Sequence, residues 1–269
     1  MNKLDLSTKR VLVTGASSGL GLEMARQLAR DHKAHPILVA RRRDRLEALA
    51  KELESFGAKP ELLAADMTRP EDRARVFAET TAAAPLAAAI LNAGVTYFGH
   101  AIEQTPESID SLLATNVAAV VDLALRYVEY FKKRADGGGL LLVSSMASLQ
   151  PMPYQATYGA SKAFVTSFGQ ALAEEHANDL LSVTTFCPGG IATDMIEAAG
   201  MSEKYNKDHP MVMAVEPCAK LALDSFVRRD RVYVPGALNK LTALSSKLAP
   251  MTLVTKLVAR DYRQVLPKK

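Results

Sequence analysis

Cysteine is scarce in this sequence. Cys187 and Cys218 are the only two, in no metal-like spacing. No disulfide framework is available, a reducing compartment is the expected setting, and both thiols read as core residues rather than reactive ones. The five histidines (His32, His35, His100, His176, His209) fall in no HxxxH or HExxH spacing, so no metal site is expected. No apolar run approaches the ~18 residues of a membrane span. The opening MNKLDLSTKRVLVTG lacks the apolar stretch of a secretory leader. The expected location is therefore cytoplasmic, with no integral membrane segment. A basic stripe interleaved with aromatics is also missing, which argues against nucleic-acid binding. The net charge of +4 is mild, and Arg41, Arg42, Arg43 and Arg45 form its one dense cluster. That balance suits an acidic small ligand such as a phosphorylated cofactor.

Apolar residues, by contrast, are ample. The 269 residues are 48% hydrophobic and 23% charged, enough for one large α/β domain and short for two. Short apolar runs at 10–14, 36–40, 61–64, 87–91, 140–144, 181–187 and 231–234 read as strands. Amphipathic segments at 19–31, 43–56, 158–176 and 216–228 read as helices. Pro70 lies near the start of another, and Thr105 before Pro106 predicts an N-cap for a long one reaching about 134. The strands are almost wholly apolar instead of alternating, so both faces are covered, as in a parallel sheet. The expectation is a Rossmann-type doubly wound parallel sheet of about seven strands with helices on both faces. With no repeat or linker, residues 1–269 read as one domain. About 190–215 would be a substrate lid and about 236–269 a C-terminal helical extension.

Thr14-Gly15-Ala16-Ser17-Ser18-Gly19-Leu20-Gly21 follows the first strand and opens the first helix. Glycines are required where the backbone turns sharply and approaches a pyrophosphate, and the free N–H groups of the helix start then bind the anion. The GxxxGxG spacing departs from GxGxxG, and three glycines alone are weak evidence, since a plain tight turn also accounts for them. Position after the first strand favours the phosphate loop. Where an acidic residue would bind a ribose 2′-hydroxyl, the chain has Ala40 followed by Arg41 and Arg42. A guanidinium can hold a 2′-phosphate that a carboxylate would repel, which favours NADP(H). Arg41 is the first candidate and Arg42 the second; Arg43 and Arg45 read as the solvated start of the next helix.

Tyr158 and Lys162 stand one helical turn apart and share a face. Bringing a phenol with a pKa near 10 to neutrality takes roughly 4 kcal/mol. A positive charge about 4 Å away supplies a similar amount at an effective dielectric near 20, so Lys162 is expected to lower the tyrosine. YxxxK alone is common on helices. The pair gains weight from Ser144-Ser145, Asn92-Ala93-Gly94, and Pro188-Gly189-Gly190 with Thr193 and Asp194. All follow carboxyl ends of strands, where open α/β sheets bind ligands.

In this order and spacing the motifs resemble those of the classical short-chain dehydrogenase/reductase family, over nearly the full chain. The matching features are TGASSGLG (14–21), Asp66, NAG (92–94), Asn116, Ser145 thirteen residues before Tyr158, YGASK (158–162) and PGGIAT (188–193). The resemblance implies that Tyr158 is the general acid/base and that Ser145 polarises the carbonyl. It implies further that Lys162 lowers the tyrosine pKa and bonds the nicotinamide ribose, and that Asn116 holds a water relay. Implied cofactor contacts are Gly15, Ser17, Ser18, Gly19, Leu20, Gly21, Arg41, Arg42, Asp66, Met67, Asn92, Ala93, Gly94, Tyr158, Lys162, Pro188, Gly189, Ile191 and Thr193. Among them Asp66 would meet the adenine, Asn92 to Gly94 the adenosine ribose, and Ile191 and Thr193 the carboxamide. Gly190 departs from the larger residue many relatives carry.

The implied activity is NADP(H)-dependent interconversion of a ketone or aldehyde and an alcohol, by a homodimer or homotetramer built through the helices after Thr105 and at 158–176. The alternative is a catalytically idle NADP(H)-binding sensor or scaffold, against which the retained serine, tyrosine and lysine weigh. Segments 146–157 and 195–213 should border the substrate. Met146, Met152, Met195, Met201, Met211 and Met213 fit an adaptable apolar wall, and fit core packing as well. Lys204 or Lys207 could meet a carboxylate, but an apolar carbonyl is the expected substrate. The helices expected at 238–248 and 252–262 have three readings: a cap on the substrate mouth, a subunit contact, or a membrane-surface contact. Packing on the parent domain is favoured.

Overall fold

Strand β1 (Arg10–Thr14) lies near the middle of a seven-stranded sheet. The computed structural model describes residues 3–193, 205 and 209–266. From β1 the chain steps outward through β2 (His35–Ala40) to β3 (Glu61–Ala64). It then returns to place β4 (Leu86–Leu91) on the other side of β1, followed by β5 (Gly138–Val143), β6 (Leu181–Phe186) and β9 (Val232–Tyr233). All pairings are parallel. The reversal between β1 and β4 opens a crevice at the carboxyl ends of the strands, the place where such sheets bind ligands.

The apolar character of most strands follows from burial on both faces; β6 is an exception, with Ser182, Thr184 and Thr185 buried among apolar residues. Val11 and Val13 of β1, Leu38 of β2 and Leu141 of β5 pack into one core. It is shared with α1 (Gly19–Arg30), α2 (Arg43–Glu54) and α6 (Val215–Val227). Their neighbours Leu12, Ile37, Val39, Leu140 and Leu142 point the other way. These meet α3 (Pro70–Ala82), the long helix α4 (Pro106–Lys132) and α5 (Ala156–Glu175). One period-2 pattern thus fills two cores.

Helix α4 runs over Pro106–Lys132. Thr105 caps it as the sequence predicts, its Oγ1 accepting from Ser108 N at 3.3 Å. Two features depart from expectation. Residues Ala114–Ala118 form a π-helical turn. The helix also reaches a mean hydropathy of 1.5 over an 18-residue window, so one segment does have the length and composition of a membrane span. Its apolar side is explained by packing, since Leu123, Ala124, Tyr127 and Phe131 are buried against the sheet.

Most other predicted elements are recovered within one or two residues at each end, the ordinary uncertainty of element boundaries. The strand expected at 231–234 shrinks to Val232–Tyr233. Two pieces were not foreseen. A 3₁₀ turn covers Met146–Ser148, and β7 (Gly190–Ile191) pairs with β8 (Val212–Met213) beside the crevice. Helices α7 (Ala237–Leu248) and α8 (Met251–Arg263) complete the described chain.

Candidate active site

The loop between β1 and α1 is shaped by close approach. Gly15 has φ +70°, and a Cβ there would lie 2.9 Å from Asn92 Nδ2. A Cβ on Gly21 would lie 2.4 Å from both Asn92 Nδ2 and the Gly15 carbonyl oxygen. These two glycines let the loop close on the end of β4. Thr14 and Asn92 then tie the crevice together. Asn92 N and Ala93 N each donate to Thr14 Oγ1 at 3.0 Å, and Asn92 Nδ2 donates to the Thr14 carbonyl at 3.0 Å.

Ser18 is the N-cap of α1, but its side chain does not cap the helix. The N–H groups of the first turn are thereby left for an anion. Arg42 lies across the same loop, donating from Nη2 to Ser17 Oγ at 3.0 Å and Ser18 Oγ at 3.1 Å. Arg41 is exposed and lines the same cavity. The sequence ranked Arg41 first, whereas it is Arg42 that the fold fastens to the glycine loop. Beyond β3, Asp66 accepts from Thr68 N and Oγ1, and lines the cavity together with Met67.

On the other side of the crevice, Ser144 and Ser145 separate cleanly in role. Ser144 is buried, its hydroxyl bonded to the Lys162 carbonyl and to Thr166 Oγ1. Ser145 caps the 3₁₀ turn, accepting from Ala147 N at 3.1 Å, and its hydroxyl interacts with the Tyr158 phenol. Burial pushes the Tyr158 pKa up, and Ser145 pulls it back. Lys162 donates from Nζ to the Val143 carbonyl at 3.0 Å, and burial brings its ammonium down to about 8. Its Nζ stands 5.9 Å from the Tyr158 ring centroid. Between Lys162 and the phenol no direct hydrogen bond is formed in this arrangement. Burial dominates both groups, and the lysine is turned toward a backbone carbonyl.

Asn116 projects from the π-helical turn and is fully buried. Its carboxamide exchanges two hydrogen bonds with the Val95 backbone, and Nδ2 also donates to Ser161 Oγ at 3.1 Å. A Cβ on Gly94 would lie 3.3 Å from both Asn116 Oδ1 and Lys162 Nζ, so the glycine lets the backbone pass between them.

These parts line one cavity of about 600 Å³. Gly15, Ser17, Ser18, Gly19, Leu20, Arg41, Arg42, Asp66, Met67, Asn92, Ala93 and Gly94 border it from the β1–β4 side. Ser145, Tyr158, Lys162, Pro188, Gly189, Ile191 and Thr193 border it from the other. Thr193 closes over the loop, its Cγ2 3.2 Å from where a Gly19 Cβ would be. Of the residues expected at the site, Gly21 and Asn116 are not part of the cavity lining and lie behind it.

The other end of the cavity is walled by the C-terminal helices, a cap that is one of the three readings of these helices from sequence, though without these residues named. Leu257, Val258, Asp261 and Tyr262 of α8, with Thr242 of α7, form its wall. Tyr262 packs edge-on against Phe98 and Tyr205, at centroid distances of 5.6 and 5.7 Å. Burial raises its phenol pKa, and nearby Tyr158 adds to that. Tyr205 OH donates to Asp261 Oδ2. The available signal was helical spacing, because positions 258, 261 and 262 share one face. Met146, Met152 and Met211 line the cavity as expected, whereas Met213 packs toward the core. Asp194, Met195, Met201, Lys204 and Lys207 lie outside the described residues. Both cysteines are buried, and no cluster of metal ligands occurs among the described residues.

A doubly wound sheet with a glycine loop at its switch point, and a serine, tyrosine and lysine across the crevice, defines a nucleotide-binding oxidoreductase fold. Residues 9–204 match the short chain dehydrogenase family model. The chain belongs to the short-chain dehydrogenase/reductase family of oxidoreductases. It is 30% identical over 240 residues to dehydrogenase/reductase SDR family member 4 of Sus scrofa, covering 86% of this chain and 85% of that one. Among solved structures, a short-chain dehydrogenase from Sphingobium yanoikuyae in complex with NADPH is 33% identical. It has a TM-score of 0.79, over 89% of this chain and 93% of that one. A bulky-bulky ketone specific alcohol dehydrogenase from Comamonas testosteroni is 28% identical with a TM-score of 0.75, over the same shares of the two chains.

Proposed function

We propose that this chain is an NADP(H)-dependent oxidoreductase that interconverts a bulky, apolar ketone or aldehyde and its alcohol. The observation that carries this reading is the meeting of Ser145, Tyr158 and Lys162 in the same cavity as the Arg42-braced glycine loop. The residues fit a phosphorylated dinucleotide. The first turn of α1 offers free N–H donors, Gly15 and Gly21 leave no Cβ in the way, and Arg41 and Arg42 stand at the far end for a 2′-phosphate. The Sphingobium relative in complex with NADPH supports the same cofactor.

Bound NADP(H) supplies a hydride donor or acceptor; the protein supplies position and a proton. Ser145 is placed to donate a hydrogen bond to the carbonyl oxygen, polarising it. Burial raises the Tyr158 pKa, so the phenol is protonated at neutral pH, and its proton is available to the far more basic alkoxide oxygen that forms during reduction. Lys162, at about 8, carries a proton that can be exchanged near neutrality. Asn116 fixes the segment 93–95 against which that lysine lies.

The apolar wall from Met152, Leu257 and Val258 supports a bulky apolar substrate, as does the likeness to the Comamonas enzyme. Leu113 and Leu125 on α4 and Phe164 on α5 remain exposed, which supports a homodimer or homotetramer built through those helices. The test is NADPH oxidation with a carbonyl panel, and turnover should be greatest for bulky ketones. Preference for small charged keto acids would refute the substrate class. Cofactor binding without turnover of any carbonyl would make the chain a sensor or scaffold instead.

A further inference from the structure

Exposed apolar side chains gather on the C-terminal hairpin. Among the described residues, twelve large apolar side chains are exposed, and six of them lie on α7 and α8: Leu238, Leu241, Leu244, Met251, Leu253 and Leu257. Single exposed leucines are ordinary, but a patch of them marks an interaction surface. Helical spacing lines these residues up as a stripe on each helix. Leu238, Leu241 and Leu244 follow one another at three-residue steps, while Asn239 between them is buried. Leu253 and Leu257 are one turn apart and exposed on α8; Leu257 also borders the cavity, which the face carrying Val258 and Tyr262 lines.

Charge on the same hairpin has one sign. Residues 237–266 hold Lys240, Lys247, Lys256, Arg260 and Arg263 against a single acid, Asp261, which is bonded to Tyr205. Lys256 and Arg260 flank the Leu253–Leu257 stripe on the exposed side, and neither makes an ion pair among the described residues. An apolar stripe edged by free cations fits a helix lying in the headgroup region of an anionic bilayer. It fits a second copy of this chain poorly. A two-fold contact sets the same surface against itself, here bringing like charges together.

We propose that the α7–α8 hairpin docks on an anionic lipid surface. The leucines sink among the acyl chains while Lys256 and Arg260 meet headgroup phosphates. Leu257 is both exposed and part of the cavity wall. Docking therefore sets the rim of the cavity against the lipid, where an apolar molecule can pass from bilayer to pocket without crossing water. The inference concerns binding alone and does not depend on turnover.

Full-length protein is to be sedimented with phosphatidylcholine vesicles, with and without phosphatidylglycerol. The protein should pellet with the anionic vesicles, and raised salt should release much of it. L241E/L253E should cut the bound fraction about ten-fold, and K256E/R260E should do so on anionic vesicles only. None of these four residues lines the cavity, so turnover of a water-soluble ketone should persist in both variants. Circular dichroism checks folding, and if L241E/L253E does not fold, the charge-reversal pair decides. Wild-type protein that stays in the supernatant, or K256E/R260E that pellets like wild type, overturns the proposal. So does light scattering in which these variants dissociate an oligomer while vesicles capture nothing, since the face is then a subunit contact.

Discussion

Asn116 and Val95 are joined by a reciprocal pair of hydrogen bonds. Asn116 Oδ1 accepts from Val95 N and Nδ2 donates to Val95 O, both at 2.9 Å. The π-helical turn brings this carboxamide inward, and its third bond reaches Ser161 on α5. One side chain thus fastens the segment after β4 to two helices.

Removing it should leave buried backbone groups unpaired. Asn116→Ala is expected to cost about 2–3 kcal/mol of stability in urea unfolding and to lower turnover. A variant as stable and active as wild type would show that the bonds are dispensable.

Tyr158→Phe should lower kcat by about 10²–10⁴-fold and leave NADPH affinity nearly unchanged, as read by fluorescence titration and initial rates. Retained turnover would move the proton donor elsewhere, with Ser145 the next to test.

Arg42→Ala should weaken NADPH binding by about 1.5–3 kcal/mol and NADH far less. Arg41→Ala should act in the same direction, less strongly, because Arg41 is not bonded to the loop serines. Equal losses for both cofactors would mean that Arg42 braces the loop and does not read the 2′-phosphate.

Lys162 links stability to pH. Its folded pKa is about 8 against an ordinary 10.5, so between those values the unfolded chain binds more protons. Stability attributable to this residue must therefore rise with pH from about 8 toward 10, by up to about 3 kcal/mol. Above about pH 10 the raised Tyr158 pKa works in the opposite sense. Lys162→Met should flatten the rise and be more stable than wild type near neutrality, though inactive. Urea unfolding at several pH values checks this, and an unchanged slope would contradict it.

Tyr262→Ala should raise KM for bulky ketones about ten-fold, since it removes two edge-on aromatic contacts worth roughly 0.5–1.5 kcal/mol each. NADPH affinity should hold. A change confined to the cofactor would place Tyr262 outside the substrate end.

Much of this molecule was legible in its sequence, for physical reasons that differ by element. A strand buried on both faces writes itself as a nearly unbroken apolar run, so β1 at 10–14 is legible to the residue, and the half-buried edge strand at 61–64 is legible as a short apolar run before Pro70. The glycine loop was legible because Gly15 and Gly21 sit where no Cβ fits. The π-helical turn left no trace, since one extra residue within Ala114–Ala118 does not disturb the apolar periodicity of the long helix around it. Strands β7 and β8, at two residues each, are too short for any periodicity. Choosing between Arg41 and Arg42 required the backbone direction at the start of α2, which composition does not carry. The substrate wall on α8 was hidden because Val258, Asp261 and Tyr262 repeat the spacing of any packed helix face.

The bonds between Thr14 and Asn92 have a consequence for the whole enzyme. They join the half of the sheet that carries the phosphate loop to the half that carries Ser145 and Tyr158, at the bottom of the crevice. Anything that widens the crevice must first break them. The span between the two halves is thus a ruler cut into the protein before any ligand arrives. Replacing Thr14 by valine would keep the strand and the Asn92 bond to its carbonyl, and lose the two bonds to the hydroxyl.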